Sequence, residues 1–134
     1  MRVVVDTNVL LSAMLKAGSV PDRLLEALWE RGVVVVYDAR ICLEYREIVT
    51  RKKFAKSLDP SRVARLTDTL LTRGEELTNV PRWGGALSDE SDRIFVEVAL
   101  AGEASAIVTG NLKDYPTTLG FAVLPPATQL AMLG

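Results

Sequence analysis

Val3-Val4-Val5-Asp6-Thr7-Asn8 decides the fold, because an unbroken β-branched run hands an acid to the point where a helix begins. A strand buried on both faces reads as such a run, since in a sheet covered by helices neither face meets water. In open parallel sheets, ligands sit just beyond the carboxyl ends of the strands. Asp6 therefore stands where chemistry is usually done. The same residue, or Thr7, also suits the cap of a helix over Val9–Leu15, accepting a free amide hydrogen of its first turn.

Outward from this strand the chain keeps alternating. Ser19-Val20-Pro21-Asp22 starts a second helix, with Ser19 as cap, Pro21 in the first turn and Asp22 completing a capping box. Leu24, Leu25, Leu28 and Trp29 form its apolar stripe, and Gly32 stops it. Val33–Tyr37 is a second all-apolar strand. Asp38 caps a third helix from Ala39 to about Thr50, and Asp59-Pro60-Ser61 opens a fourth with Val63, Leu66, Leu70 and Leu71 on one face. Leu77–Val80 predicts a weak edge strand ended by Pro81, and Arg82–Leu87 a loop. Ser88–Asp92 supplies caps and acids for a helix reaching Gly102. Ala106–Val108 and Phe121–Leu124 are the remaining strands, and Pro126–Leu133 the last helix. Strands alternating with helices predict an α/β three-layer sandwich on a parallel sheet. No repeat or linker interrupts it, so residues 1–134 are read as one domain.

The chain's 134 residues suffice to bury a core without disulfides or structural metal. A net charge of −1 favours no class of partner. The absence of histidine excludes more: the usual general base, the commonest zinc ligand and every Ser-His or Cys-His pairing are gone. Proton and charge chemistry would fall to carboxylates, lysines or a hard cation bound by oxygen. A single cysteine, Cys42, forms no internal disulfide, and no apolar run approaches the roughly twenty residues a bilayer requires. With no secretory leader to be read, the expected location is the cytoplasm and no membrane partner is expected.

Among the acids, Asp92 falls beside Phe95, Val96 and Ala99 on the core-directed side of its helix, whereas Arg93 and Glu97 share the solvent stripe with Glu90. An inward carboxylate demands a partner, because an unpaired buried charge is costly. Asp89 and Glu90 suit the positive end of the helix dipole. Glu44 lies at the margin of its helix between Ile41 and Ile48, where its ordinary partner would be Arg40 or Arg51. Thr109-Gly110-Asn111-Leu112-Lys113-Asp114 again sets oxygens beyond a strand's carboxyl end, and also reads as a glycine turn with a cap. Acids gathered at one end of a sheet repel and raise one another's pKa unless a cation neutralises them. Mg²⁺ or Mn²⁺ does so, and two such ions about 4 Å apart serve phosphodiester hydrolysis.

Together these residues resemble the PIN domain family, in particular the single-domain toxins of bacterial and archaeal toxin–antitoxin pairs. The pieces that carry the resemblance are the opening run through Asp6-Thr7-Asn8-Val9-Leu10, Glu44, the stretch Asp89–Ala101, and Ala106–Asn111. It implies a five-stranded parallel sheet of order 3-2-1-4-5, a metal-dependent ribonuclease, and a homodimer inhibited by a cognate antitoxin. Asp6, Glu44 and Asp92 fall on the family's three core acids, as catalytic residues and as ligands of Mg²⁺ or Mn²⁺. Thr109 and Asn111 fall on its polar fourth motif. Many members carry an acid where this chain has Asn111, so either Asp114 completes the metal set or affinity is weaker. Asn8, Thr109 and Asn111 are the expected substrate contacts in the cleft. Lys52 and Lys53, in the run Arg51-Lys52-Lys53-Phe54-Ala55-Lys56, would meet RNA phosphates, though the run also reads as a solvated helix end complementing its dipole; Arg82-Trp83 offers a cation and a stacking surface, with Trp83 equally suited to a core or an interface. A receiver-like regulatory module that holds Mg²⁺, or binds RNA without cutting it, is the alternative. A haloacid-dehalogenase-like phosphatase fits less well, since it wants a second Asp where Asn8 stands.

Overall fold

The apolar runs become the strands of one parallel sheet. In the computed structural model, which describes residues 1–134, β1 (Arg2–Val5) is flanked by β2 (Val34–Tyr37) and β4 (Ala106–Val108). The outer strands are β3 (Glu75–Glu76) and β5 (Ala122–Leu124), giving the all-parallel order β3-β2-β1-β4-β5. Helices α1 (Thr7–Leu15), α2 (Val20–Glu30), α3 (Ala39–Ile48), α4 (Pro60–Arg73), α5 (Arg93–Ala101) and α6 (Pro126–Leu133) flank the sheet. Val3, Val4 and Val5 have no exposed surface, as a strand covered on both faces requires. No helix is long and apolar enough to cross a membrane.

Caps fix where helices leave the sheet. Ser19 accepts from Asp22 N, and Asp38 accepts from the amides of Arg40 and Ile41 at 3.0 Å each. The chain reverses its direction of winding between β1 and β4, which opens a crevice at their carboxyl ends. Val5 lies opposite Val108, and Asp6 N donates to Val108 O at 2.9 Å, so Asp6 and Thr109 leave the sheet side by side. The buried hydroxyl of Tyr45 donates to Val5 O, tying α3 and its neighbour Glu44 to the same strand end.

The edge strand departs from expectation. Glu75 and Glu76, not Leu77–Val80, pair with β2, opposite Val36 and Tyr37. Leu77 N makes a last bond to Tyr37 O at 2.7 Å, and by Asn79, at φ 55°, the chain has turned away. The cause is Gly74. It lets the chain enter the sheet at once after α4, in a place where a Cβ would sit 2.5 Å from Val35 O and 2.7 Å from Leu70 O. Charged residues are common on exposed edges, where Glu75 also pairs with Arg2. Gly74→Ala is expected to cost about 1–3 kcal/mol in urea unfolding, because both obstructing atoms are backbone. An unchanged midpoint would contradict the close approach.

Candidate active site

Asp6 leaves β1 as the cap of α1, its Oδ1 accepting a long bond of 3.4 Å from Asn8 N. Its Oδ2 accepts from Thr109 Oγ1 at 2.7 Å and from the hydroxyl of Tyr115 at 3.2 Å. The same hydroxyl lies 3.3 Å from Asp92 Oδ1. Acids from opposite ends of the chain therefore meet through one phenol. Asp92 precedes α5 without capping it by its side chain, and its Oδ2 is buried with no hydrogen-bond partner. Glu44, half-buried on α3, accepts from Thr7 Oγ1.

Asp6, Thr7, Glu44 and Asp92 line a cleft of about 180 Å³ whose surface is mostly polar. Asn8, Asp89, Ser91, Asn111 and Asp114 complete its walls, with Arg51 as the single cation. Burial, and then the charges of Asp6, Asp89 and Asp114, push the Asp92 carboxyl up to about 7. Glu44 is raised by burial and by Asp6, against the bond from Thr7 and the charge of Arg51. Burial followed by Asp6 and Asp92 raises the Tyr115 phenol, so it stays protonated and donates to the ionised carboxylates. Asp89 is held below the carboxylate range by the hydroxyl and amide of Ser91, at 2.7 and 2.9 Å, which is a capping arrangement.

Not every expected residue takes its expected place. Thr109 is fully buried; instead of facing substrate it donates to Asp6 and accepts from Asn111 N at 3.0 Å. Lys52 and Lys53 are exposed on a short 3-10 turn next to the cleft, Lys53 Nζ lying 5.0 Å over the Phe54 ring, but Arg51 is the basic residue that lines the cleft. Asp6, Glu44, Asp92 and Asp114 all border it, yet as the side chains stand no three acids form a ready cage for an ion. Fit to a hard cation rests on the donor chemistry of the carboxylates and on Asp92 Oδ2, a buried oxygen without a partner on a residue that lines the cleft.

Glu97 corrects the helical wheel. Expected in solvent, it is 3% exposed. Its Oε1 accepts from Arg40 Nη1 at 2.7 Å and its Oε2 from Trp83 N at 2.8 Å. Burial alone would raise its pKa, but these two donors outweigh burial and lower it. The loop between β3 and α5 lies over that face of the helix, a cover that a wheel cannot anticipate. Arg40 serves Asp38 and Glu97 rather than Glu44. Trp83, expected as a stacking surface, is already engaged: Arg93 donates to its carbonyl at 2.6 Å and lies 5.5 Å over its ring. Tyr115 was invisible in the sequence, its only signal being an aromatic hydroxyl just after a polar strand-end loop.

A family model described as PIN domain matches residues 2–113, which span β1 through the loop bearing Asn111. The chain belongs to the PIN domain family. Searches of curated proteins and of solved structures each gave no match. PIN domains are generally nucleases, and such nucleases generally use divalent metals. Asp114 and Tyr115 fall just beyond the matched stretch.

Because the folded Asp92 binds its proton more tightly than an unfolded aspartate, the stability this proton brings is complete below the ordinary value of 3.8 and is lost as the pH rises to about 7. Metal-free protein is expected to melt several degrees lower at about pH 8 than at about pH 5. Asp92→Asn should flatten much of that slope in a calorimetric scan; an unaltered slope would contradict the placement of Asp92.

Proposed function

We propose that this PIN domain is an endoribonuclease that hydrolyses RNA phosphodiester bonds with Mg²⁺ or Mn²⁺ held by Asp6 and Asp92, with Glu44 and Asp114 completing the set. The observation that carries this reading is the meeting of Asp6 and Asp92 on one hydroxyl, with Asp92 Oδ2 buried and left unpaired. A bound divalent ion supplies an activated water and neutralises charge on the phosphoryl oxygens. Thr109 and Tyr115 orient Asp6, and Thr7 holds Glu44 toward the same cleft. With no histidine in the chain, a proton leaving water passes to a cleft carboxylate or to solvent. Arg51 brings positive charge to the otherwise anionic wall, and Lys52 and Lys53 extend it outward along the path of a phosphate backbone. Asn8 and Asn111 offer neutral amides to the ribose or bases.

The receiver-like alternative is not favoured. Receiver sheets run in the order 2-1-3-4-5, whereas here β1 lies between β2 and β4. The resemblance to single-domain toxins extends the proposal to a cognate antitoxin partner and a homodimer, which co-purification and sedimentation test.

Purified protein is expected to cut RNA only with added Mg²⁺ or Mn²⁺. Asp6→Asn should lower the rate at least about 100-fold without unfolding the chain, since the amide keeps an acceptor for Thr109 but removes the charge. Equal cleavage by the variant and its parent would remove Asp6 from the chemistry. Exchanging both Lys52 and Lys53 for Ala should instead raise KM with kcat nearly unchanged, and should reduce the salt dependence of RNA binding by about two counterions. A salt slope equal to the parent's would place the RNA elsewhere.

A further inference from the structure

Tyr115 is 5% exposed and lies outside the stretch that matches the family. Its hydroxyl makes no contact with the open cleft; what it touches is one oxygen of each acid, Asp6 Oδ2 and Asp92 Oδ1. Distances of 3.2 and 3.3 Å are both long for a hydroxyl donor, whose bonds cluster near about 2.7–2.8 Å. Both carboxylate oxygens thus lie within reach of the one hydroxyl proton. The other oxygen of each carboxylate is little committed. Asp6 Oδ1 has only the 3.4 Å bond from Asn8 N, and Asp92 Oδ2 has none.

We propose that Tyr115 is a positioning residue: it holds Asp6 and Asp92 by one oxygen each, so that their other oxygens are presented together to a shared divalent cation. The inference rests on the metal-dependent reading of the same cleft. A phenol suits the task for an electrostatic reason. Arg or Lys in this place would also fix the two carboxylates, but would cancel the negative charge that draws the cation. A neutral hydroxyl supplies direction without that cost. Its ring, buried in the core cluster, has only two side-chain torsions to lose, so the donor is stiff. Groups that orient metal ligands through their second atom are worth about 10–100-fold in affinity.

The test is a calorimetric titration of Mn²⁺ into metal-free parent protein and into Tyr115→Phe. The parent is expected to bind, and the variant to bind about 10–100-fold more weakly while its metal-free melting temperature stays within a few degrees. A parent that takes up no Mn²⁺ removes the metal reading and this inference with it. A parent that binds, beside a Phe variant that binds equally well, removes the role of Tyr115 alone. If the Phe variant does not fold, the parent labelled with ¹³C at tyrosine Cζ decides the matter. The Tyr115 resonance should move as Mg²⁺ is added up to the concentration that saturates RNA cleavage, and a resonance that stays in place overturns the proposal.

Discussion

Like charges brought together out of water must be compensated, and the carboxyl end of β1 and β4 in this PIN domain is arranged around that constraint. Asp6 and Asp92 come from residues far apart in the chain and meet at a single hydroxyl. Burial, and then their repulsion, raises the Asp92 carboxyl to about 7. Three devices hold the pair despite that cost: the backbone bond that locks Asp6 to Val108, the Thr109 hydroxyl on Asp6, and the Tyr115 bridge. Each is neutral, so none removes the negative charge that a cation would meet. The one cation lining the cleft, Arg51, opposes the rise in the Glu44 pKa that burial brings, without forming an ion pair.

A second layer of support lies behind the acids. The irregular chain from β3 to α5 would have little to hold it, since it carries no regular structure before Glu90. It is pinned at Trp83, whose amide is taken by Glu97 and whose carbonyl and ring are taken by Arg93. Glu97 is in turn compensated by Arg40, which rises from the first turn of α3 and also binds Asp38. This network links the helix that bears Glu44, the helix that follows Asp92 and the loop that delivers Asp89. The cleft's walls are therefore cross-braced by charge pairs that stand outside it.

The fold was largely legible in the chain because its dominant signals are local. Val3–Val5, Val33–Tyr37 and Ala106–Val108 are apolar runs that admit few alternatives to buried parallel strands, and Ser19, Asp38 and Asp59 cap the helices they were read to start. The sheet order came from the family resemblance, not from the pattern. β3 escaped because its pairing depends on the backbone approach at Gly74 and is made by two glutamates, which carry no apolar signature. The acids were legible for the same reason as the strands, since Asp6 follows an apolar run and Asp92 breaks an apolar helix face. Tyr115 and Glu97 were not, because their roles exist only where distant segments meet. A wheel drawn for α5 alone assigns Glu97 to water, and the loop that covers it lies outside that helix.

The most direct test of the shared-cation account is anomalous diffraction from crystals of the parent protein grown with Mn²⁺. A manganese peak is expected in the cleft, with oxygens of both Asp6 and Asp92 bound to it. A fully occupied peak elsewhere, or one bound to Asp89 or Asp114 with Asp6 and Asp92 still joined only through Tyr115, would contradict the account.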